Sequence, residues 1–321
     1  MVFNKLYHPA IFQGNLARKN YFEGWYLKHV SQDLNNVVSL IPGVALNGHD
    51  PHSFIQYING INGETHYFQF PLPAFKYDKR KFEIEIAGNK FSGKGLEINL
   101  NNDTISVKGN LTYSALTLYP GNLLSPGIMG WYSFVPFMEC KHGVISLNHS
   151  TSGLLEINGN SINFKNGSGY IEKDWGSSFP EAWIWIQCNN FRQKNTCLMF
   201  SVAKIPWLGK FFIGFISFLF VDGKLILFSS YNNSKLQKVK NTDNQLSITL
   251  KNKEYTLEIL ATSNTSGLLK APKAGNMDRH IKESIDAEVH IELTNKNGEI
   301  VYSDNGKRAG LEIIEQIFSY L

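Results

Sequence analysis

Apolar and polar residues alternate in short runs along most of this chain, which is the two-residue period of a half-buried strand. The stretch 81–87 sets Phe82, Ile84 and Ile86 against Glu83 and Glu85. Runs of the same kind recur at 96–100, 104–107, 154–157, 161–164, 225–229, 246–250, 255–260 and 287–293. Their joints are turn dipeptides: Asn62-Gly63, Asn158-Gly159, Asp222-Gly223 and Asn297-Gly298. Many short strands at close spacing predict an all-β fold of antiparallel barrel or sandwich units with few short helices. One helix is expected, at the end of the chain, where Leu311, Ile314, Ile317, Phe318 and Leu321 fall near one helical face.

The run 211–221, rich in Phe and Ile between Lys210 and Asp222, breaks the alternation. It is far shorter than the roughly 20 residues of a spanning helix. Its composition predicts a strand covered on both faces. A membrane-facing patch, and with it a peripheral membrane contact, is the other reading.

At 321 residues the chain has room for two domains. Tyr21-Phe-Glu-Gly-Trp25 is echoed half a chain later by Tyr170-Ile-Glu-Lys-Asp-Trp175. Two similar β units, each opened by a Glu/Trp strand, account for the echo and place the division at 1–165 and 166–321.

Aromatic residues make up 13% of the chain, with 22 Phe and 14 Tyr, more than a core needs and suited to a cavity for an apolar small molecule. The net charge of +4 is dispersed, and the basic stretches 76–81 and 235–240 read as turns or solvated strand ends. No concentrated basic face points to nucleic acid. Cys140, Cys188 and Cys197 form no disulfide framework or metal-binding pattern, although Cys188 and Cys197 could meet across a hairpin. The N-terminal residues include no apolar segment of signal-peptide length, which makes a cytoplasmic location the expectation.

The densest chemistry lies at 169–187. If 172–175 is extended, Glu172 and Asp174 share one face and Lys173 and Trp175 the other. Two carboxyls on one face repel when both are ionised, so one is expected to hold a proton and act as a general acid. Closing a sheet end and capping a turn is the structural alternative. Trp183, Trp185, Gln187 and Asn189 share a face suited to a cavity with a polar end, opposite Ile184, Ile186 and Cys188. Glu23 shares a face with Trp25 and reads as an ion pair with Arg18 or Lys28, or as a cavity group. Glu139, His142 and His149 have poor metal-ligand spacing, so no metal is expected, and His149 is either a polar contact or a cavity proton carrier. Arg279 or Glu283 could pair with the carboxyls at 172 and 174. Phosphate-loop, dinucleotide-binding and nucleophile-elbow motifs are missing from the sequence.

Taken in order, Tyr21-Phe-Glu-Gly-Trp-Tyr26, Pro136-Phe-Met-Glu-Cys140 with His142-Gly-Val144, Gly169-Tyr-Ile-Glu-Lys-Asp-Trp-Gly-Ser-Ser-Phe-Pro180 and Trp183-Ile-Trp-Ile-Gln187 resemble the tocopherol cyclase family. So do Ala271-Pro272 with Gly275, Met277, Arg279, Ile281, Glu283 and Ser284, and Ala309-Gly-Leu-Glu312. The resemblance implies two lipocalin-like β units and chemistry that needs no cofactor: protonation of a prenyl double bond and capture of the cation by a phenol oxygen, closing a chroman ring. By that likeness Asp174 or Glu172 is the acid. Trp25, Trp175, Trp183 and Trp185, with Glu23, Gln187, His149 and Arg279, line the site of a prenylated quinol. A carrier of an apolar lipid, quinone or pigment, and a hydratase of a polyene double bond, are the alternatives.

Overall fold

The computed structural model describes residues 5–136, 138–207, 209–242 and 245–321. Phe137 of the family-like segment, and the first four residues of the N-terminus, lie outside them. Among the described residues the regular structure is strand, apart from a few short helical turns.

The first compact unit comprises the described residues up to Phe179 together with Leu268–His280. Its strands are β1 (Tyr21–Val30), β2 (Val37–Leu46), β3 (His52–Asn59), β4 (Thr65–Pro71), β5 (Phe75–Tyr77), β6 (Glu83–Ile86), β7 (Asn89–Ser92), β8 (Gly95–Asn101), β9 (Ser106–Tyr113), β10 (Thr117–Leu118), β11 (Cys140–Ile157), β12 (Asn160–Asn163) and β13 (Gly167–Gly176). They pair in the order β4-β3-β2-β1-β13-β11-β9-β8-β7-β6-β5, with β10 and β12 on β11. The core lies on one face, where Trp25, Leu27, Leu40, Tyr57, Phe91 and Phe164 are buried together.

The second unit comprises Pro180–Gly267 and Ile281–Leu321. Another antiparallel sheet is built from β14 (Trp183–Cys188), β15 (Cys197–Trp207), β16 (Lys210–Val221), β17 (Lys224–Ser229), β18 (Lys235–Thr242), β19 (Gln245–Lys251), β20 (Tyr255–Thr262), β21 (Gly267–Lys273), β22 (Asn276–Asn295) and β23 (Ile300–Ile313), of which β21 beyond Gly267 and β22 up to His280 fall in the first unit. Its order is β17-β16-β15-β14-β23-β22-β20-β19-β18, with β21 on β22. Ile184, Ile186, Leu198, Phe200, Ile248 and Ile291 belong to its core.

The all-β expectation holds, but neither sheet closes into a barrel. The ends of the first ladder, β4 and β5, are consecutive in the chain yet unpaired. They are separated by a 3-10 turn, Leu72–Ala74, framed by Pro71 and Pro73. Proline has no N–H to give a ladder, which favours an edge there. The expected division at 165 precedes β13, whereas the compact units part after Phe179, because β13 is hydrogen-bonded between β1 and β11. For the same reason the Glu/Trp echo does not mark the openings of two units. Its two copies are neighbouring strands of one sheet, with Glu23 opposite Trp175 and Trp25 opposite Lys173.

The terminal helix shrinks to a 3-10 turn, Glu315–Ser319, since β23 carries Gly310–Ile313 along β14. The run at 211–221 is β16, and it is covered unevenly. Partner β17 reaches only from Val221 back to Ile216, so Phe211 is left exposed. All three cysteines are free, and Cys188 faces Leu198 rather than Cys197.

Candidate active site

Strand β13 sorts the predicted residues onto two faces of the first sheet. Lys173 and Trp175 point to the core side, where their neighbours on β1 are Trp25 and Glu23. Lys173 and Glu23 are fully buried and joined at 2.5 Å. Lys173 Nζ also donates to the carbonyls of Pro9 and Ile11, at 2.7 and 2.6 Å, so its three N–H groups are all used. Glu23 accepts from the backbone N–H groups of Gln13 and Gly14 and from the Tyr21 hydroxyl. The ammonium lies 4.6 Å from the Trp25 ring and 5.0 Å from the Trp175 ring. Burial drags the Lys173 pKa down, the Glu23 charge and hydrogen bond oppose it, and the net is about 8.

This arrangement staples the N-terminal segment 9–14 to the sheet. The sequence points to Arg18 or Lys28 as the partner of Glu23, but it is Lys173 on the neighbouring strand, opposite Trp25, and Arg18 instead covers the Tyr21 ring. Trp25 is a core residue: its indole donates to Ala10 O at 2.8 Å and its ring stacks on Phe82.

His149 lies on the core side as well. Its Nδ1 meets Ser146 Oγ at 2.9 Å, and its ring packs 4.5 Å from that of Tyr113, whose hydroxyl bonds His29 Nε2. Burial pushes both His29 and His149 down to about 3, so both are neutral at ordinary pH.

The opposite face carries the chemistry. Glu172 and Asp174 share it, as strand alternation requires, and β11 brings His142 opposite Asp174. His142 Nδ1 lies 3.0 Å from Asp174 Oδ1 and its Nε2 3.6 Å from Glu172 Oε2. Glu172 Oε2 also accepts the Tyr170 hydroxyl at 2.6 Å. Burial alone would lower the His142 pKa; the charges of Asp174 and Glu172 and the hydrogen bond to Asp174 overcome it, and the value rises to about 9. An imidazolium therefore sits between two carboxyl groups. Side-chain exposure is 5% at Glu172, 14% at His142 and 25% at Asp174, so Asp174 is the carboxyl open to a ligand. On β1, Gly24 and Tyr26 lie opposite Asp174 and Glu172, and Ile41 and Phe54 come within 4 Å of where a Gly24 side chain would stand.

His142, Glu172 and Asp174 also offer three potential metal-ligand atoms within 4.8 Å of one another. A cation there would have to displace the His142 proton, so it competes with the two ion pairs. Sequence spacing groups His142 only with Glu139 and His149; the trio depends on the pairing of β11 with β13, which the spacing does not give.

In the second unit, Trp183 Nε1 donates to Glu312 Oε2 at 2.5 Å, and Gln187 Nε2 reaches Asn189 Oδ1 at 3.3 Å. Trp185 packs over Gly310, where a Cβ would come 2.5 Å from the indole. Trp183, Trp185, Gln187 and Asn189 are all buried, opposite the core-facing Ile184, Ile186 and Cys188, as the alternation predicts. Arg279 is half-buried on β22, within the first unit.

Tocopherol cyclase of the chloroplast from Zea mays is 39% identical over 62 residues, which is 19% of this chain and 13% of that protein. The aligned part thus spans about an eighth of the plant protein's length. Two solved structures share the fold at low identity. CghA matches with a TM-score of 0.56 at 9% identity, over 91% of this chain and 88% of its own. Kievitone hydratase from Nectria haematococca matches with a TM-score of 0.50 at 9% identity, over 95% and 93%. The tocopherol cyclase-like family model matches residues 113–314, well over half of the chain and including both strands that carry His142, Glu172 and Asp174, so the chain belongs to the tocopherol cyclase-like family.

Proposed function

We propose that this chain is an acid–base enzyme that cyclises a prenylated quinol without a cofactor, with Asp174 as the acid. The observation that carries the reading is the placement of half-buried His142 between Asp174, at 3.0 Å, and Glu172, at 3.6 Å. Asp174, protonated at Oδ2 while Oδ1 accepts from His142 at 3.0 Å, is the proton donor, and the His142 ring faces the carboxylate left behind. Asp174 gives its proton to the less substituted carbon of a prenyl double bond. The phenol oxygen of the same molecule bonds to the tertiary cation, and the phenol proton returns to the Asp174 carboxylate. Atoms and charge balance, and the product is an isomer of the substrate. Glu172, fixed by Tyr170, keeps His142 charged, and Tyr26 offers a π face to the developing cation.

Hydration is the second reading. The same acid would form the same cation and water would take the place of the phenol oxygen, a reaction type named in the structural relative kievitone hydratase. The test is incubation with a reduced prenylated benzoquinol, with products followed by chromatography and mass detection. An isobaric chroman is expected, lost by at least about 100-fold in Asp174→Asn. A product heavier by one water would select hydration. Tight binding with no product would leave a carrier, and unaltered turnover in Asp174→Asn would remove the acid.

A further inference from the structure

The stretch 109–138 contains no Asp, Glu, Lys, Arg or His. Beyond β10 it runs as a long connection back to β11, and it concentrates exposed apolar side chains: Leu118, Leu123, Leu124, Trp131 and Phe134. Leu123 and Leu124 are 80% and 81% exposed. This exposure is built, because the turn that presents them is hydrogen-bonded within itself. Asn122 Oδ1 accepts from the N–H groups of Leu124 and Ser125, Asn122 and Ser125 exchange backbone bonds, and Tyr7 donates to Leu123 O. Just beyond it Pro126, Ile128 and Gly130 are buried, so a fixed base holds an apolar tip.

The surroundings of the tip are basic. Lys141 ties its ammonium to Ser133 O at 2.9 Å and lies close enough to Arg18 for the two charges to interact. The exposed Arg18 and Lys19 belong to the N-terminal segment that contacts the turn through Tyr7, whereas Lys5 of that segment spends its ammonium on the carbonyls of Phe12, Gln13 and Gly14. The acidic groups on this side are Glu139, next along the chain, and Asp174, which is held by His142. An uncharged Leu/Trp tip rimmed by Lys and Arg matches the pattern of a surface that inserts shallowly into a bilayer bearing anionic headgroups.

We propose that the loop around Leu123 and Leu124, with Trp131 and Phe134, docks this protein on an anionic phospholipid surface. The loop also reaches the partner of the candidate acid, since Met129 Sδ accepts the backbone N–H of His142 at 3.1 Å. Docking therefore places a lipid phase at the element that touches the strand segment holding His142 against Asp174. That the loop delivers a membrane-dissolved substrate rests on the cyclase reading; the docking does not.

Flotation with vesicles of phosphatidylcholine plus phosphatidylglycerol, compared with phosphatidylcholine alone, tests it without any substrate. The wild type is expected to float with the anionic vesicles and to be released by salt. The variant Leu123→Ser/Leu124→Ser, with an unchanged melting temperature, is expected to partition at least about tenfold more weakly. Trp131→Phe gives an independent reading in a near-native protein: brominated lipid should quench the wild-type fluorescence more than that of the variant. Failure of the wild type to bind either vesicle, or equal binding by the double variant, would overturn the proposal. So would a wild-type dimer that the double variant splits without any vesicle binding, since the tip would then be a contact between copies. Turnover of a short-chain, water-soluble prenylquinol should be the same in wild type and double variant. If neither converts it while the wild type still floats, the cyclase reading fails and the docking stands.

Discussion

Two buried ion pairs on opposite faces of β13 differ in what they do. Lys173 and Glu23 spend every hydrogen-bonding group on each other and on the backbone of 9–14, which leaves nothing for a ligand. Lys173→Met strands Glu23 without its counter-charge and should cost about 3–5 kcal/mol in chemical denaturation, whereas Glu23→Gln/Lys173→Met should recover part of it. A loss under about 1 kcal/mol in the single variant would mean that water already reaches the pair. His142 is the reverse case, a pair that titrates. Its folded pKa of about 9 exceeds the ordinary 6.5, so the stability it contributes is complete below about 6.5 and is lost as pH rises through about 9. The gap in melting temperature between wild type and His142→Gln should therefore shrink from pH 6 to pH 10. A gap constant across that range would show that His142 is uncharged in the folded protein. Alternation alone put Glu172 and Asp174 on one face. It could not supply His142, because the β11–β13 register shifts twice, between Val144 and Ser146 and between Ser146 and His149.

At the scale of elements, β13 owes its burial to its place between β1 and β11, not to its composition. Its side chains change from Gly169 and Tyr170 through alternating charges to Trp175. Gly169 is required by contact: a Cβ there would lie 2.2 Å from His149 Nε2. Gly169→Ala should cost about 1–3 kcal/mol by overpacking, read as a lower melting temperature with turnover preserved in the folded fraction. An unchanged melting temperature would show that His149 swings aside. The existence of most strands was legible from their two-residue period, but strand neighbours were not. The Glu/Trp echo suggests two unit openings, yet it is a pair of adjacent strands, and sequence spacing says nothing about which strands lie side by side. The same gap hid the uneven cover of β16, whose buried half depends on how far β17 extends.

For the whole molecule, the consequence lies in how the chain is shared between its two units. Leu268–His280 belongs to the first unit although the second unit surrounds it in sequence. Its contacts there are specific. Gln56 donates to Lys270 O at 2.9 Å and accepts from Lys270 N at 2.8 Å, Thr65 Oγ1 donates to Leu268 O, and Met277 packs with Ala45 and Phe54. Gly275 N and Ala274 N close the set on Ser177 O and Ser178 Oγ. A cut at the 179/180 boundary therefore does not yield a complete first unit: it removes both Gln56 hydrogen bonds, a net loss of about 0.5–1.5 kcal/mol each, and uncovers Phe54. The fragment 1–179 should melt well below the same fragment with 268–280 appended through a Gly/Ser linker. Gln56→Leu should erase most of the gain, because it leaves the Lys270 N–H and C=O without partners. Equal melting of the two fragments would show that 268–280 contributes nothing to the unit it joins, and its contacts would then be adhesion without energetic weight.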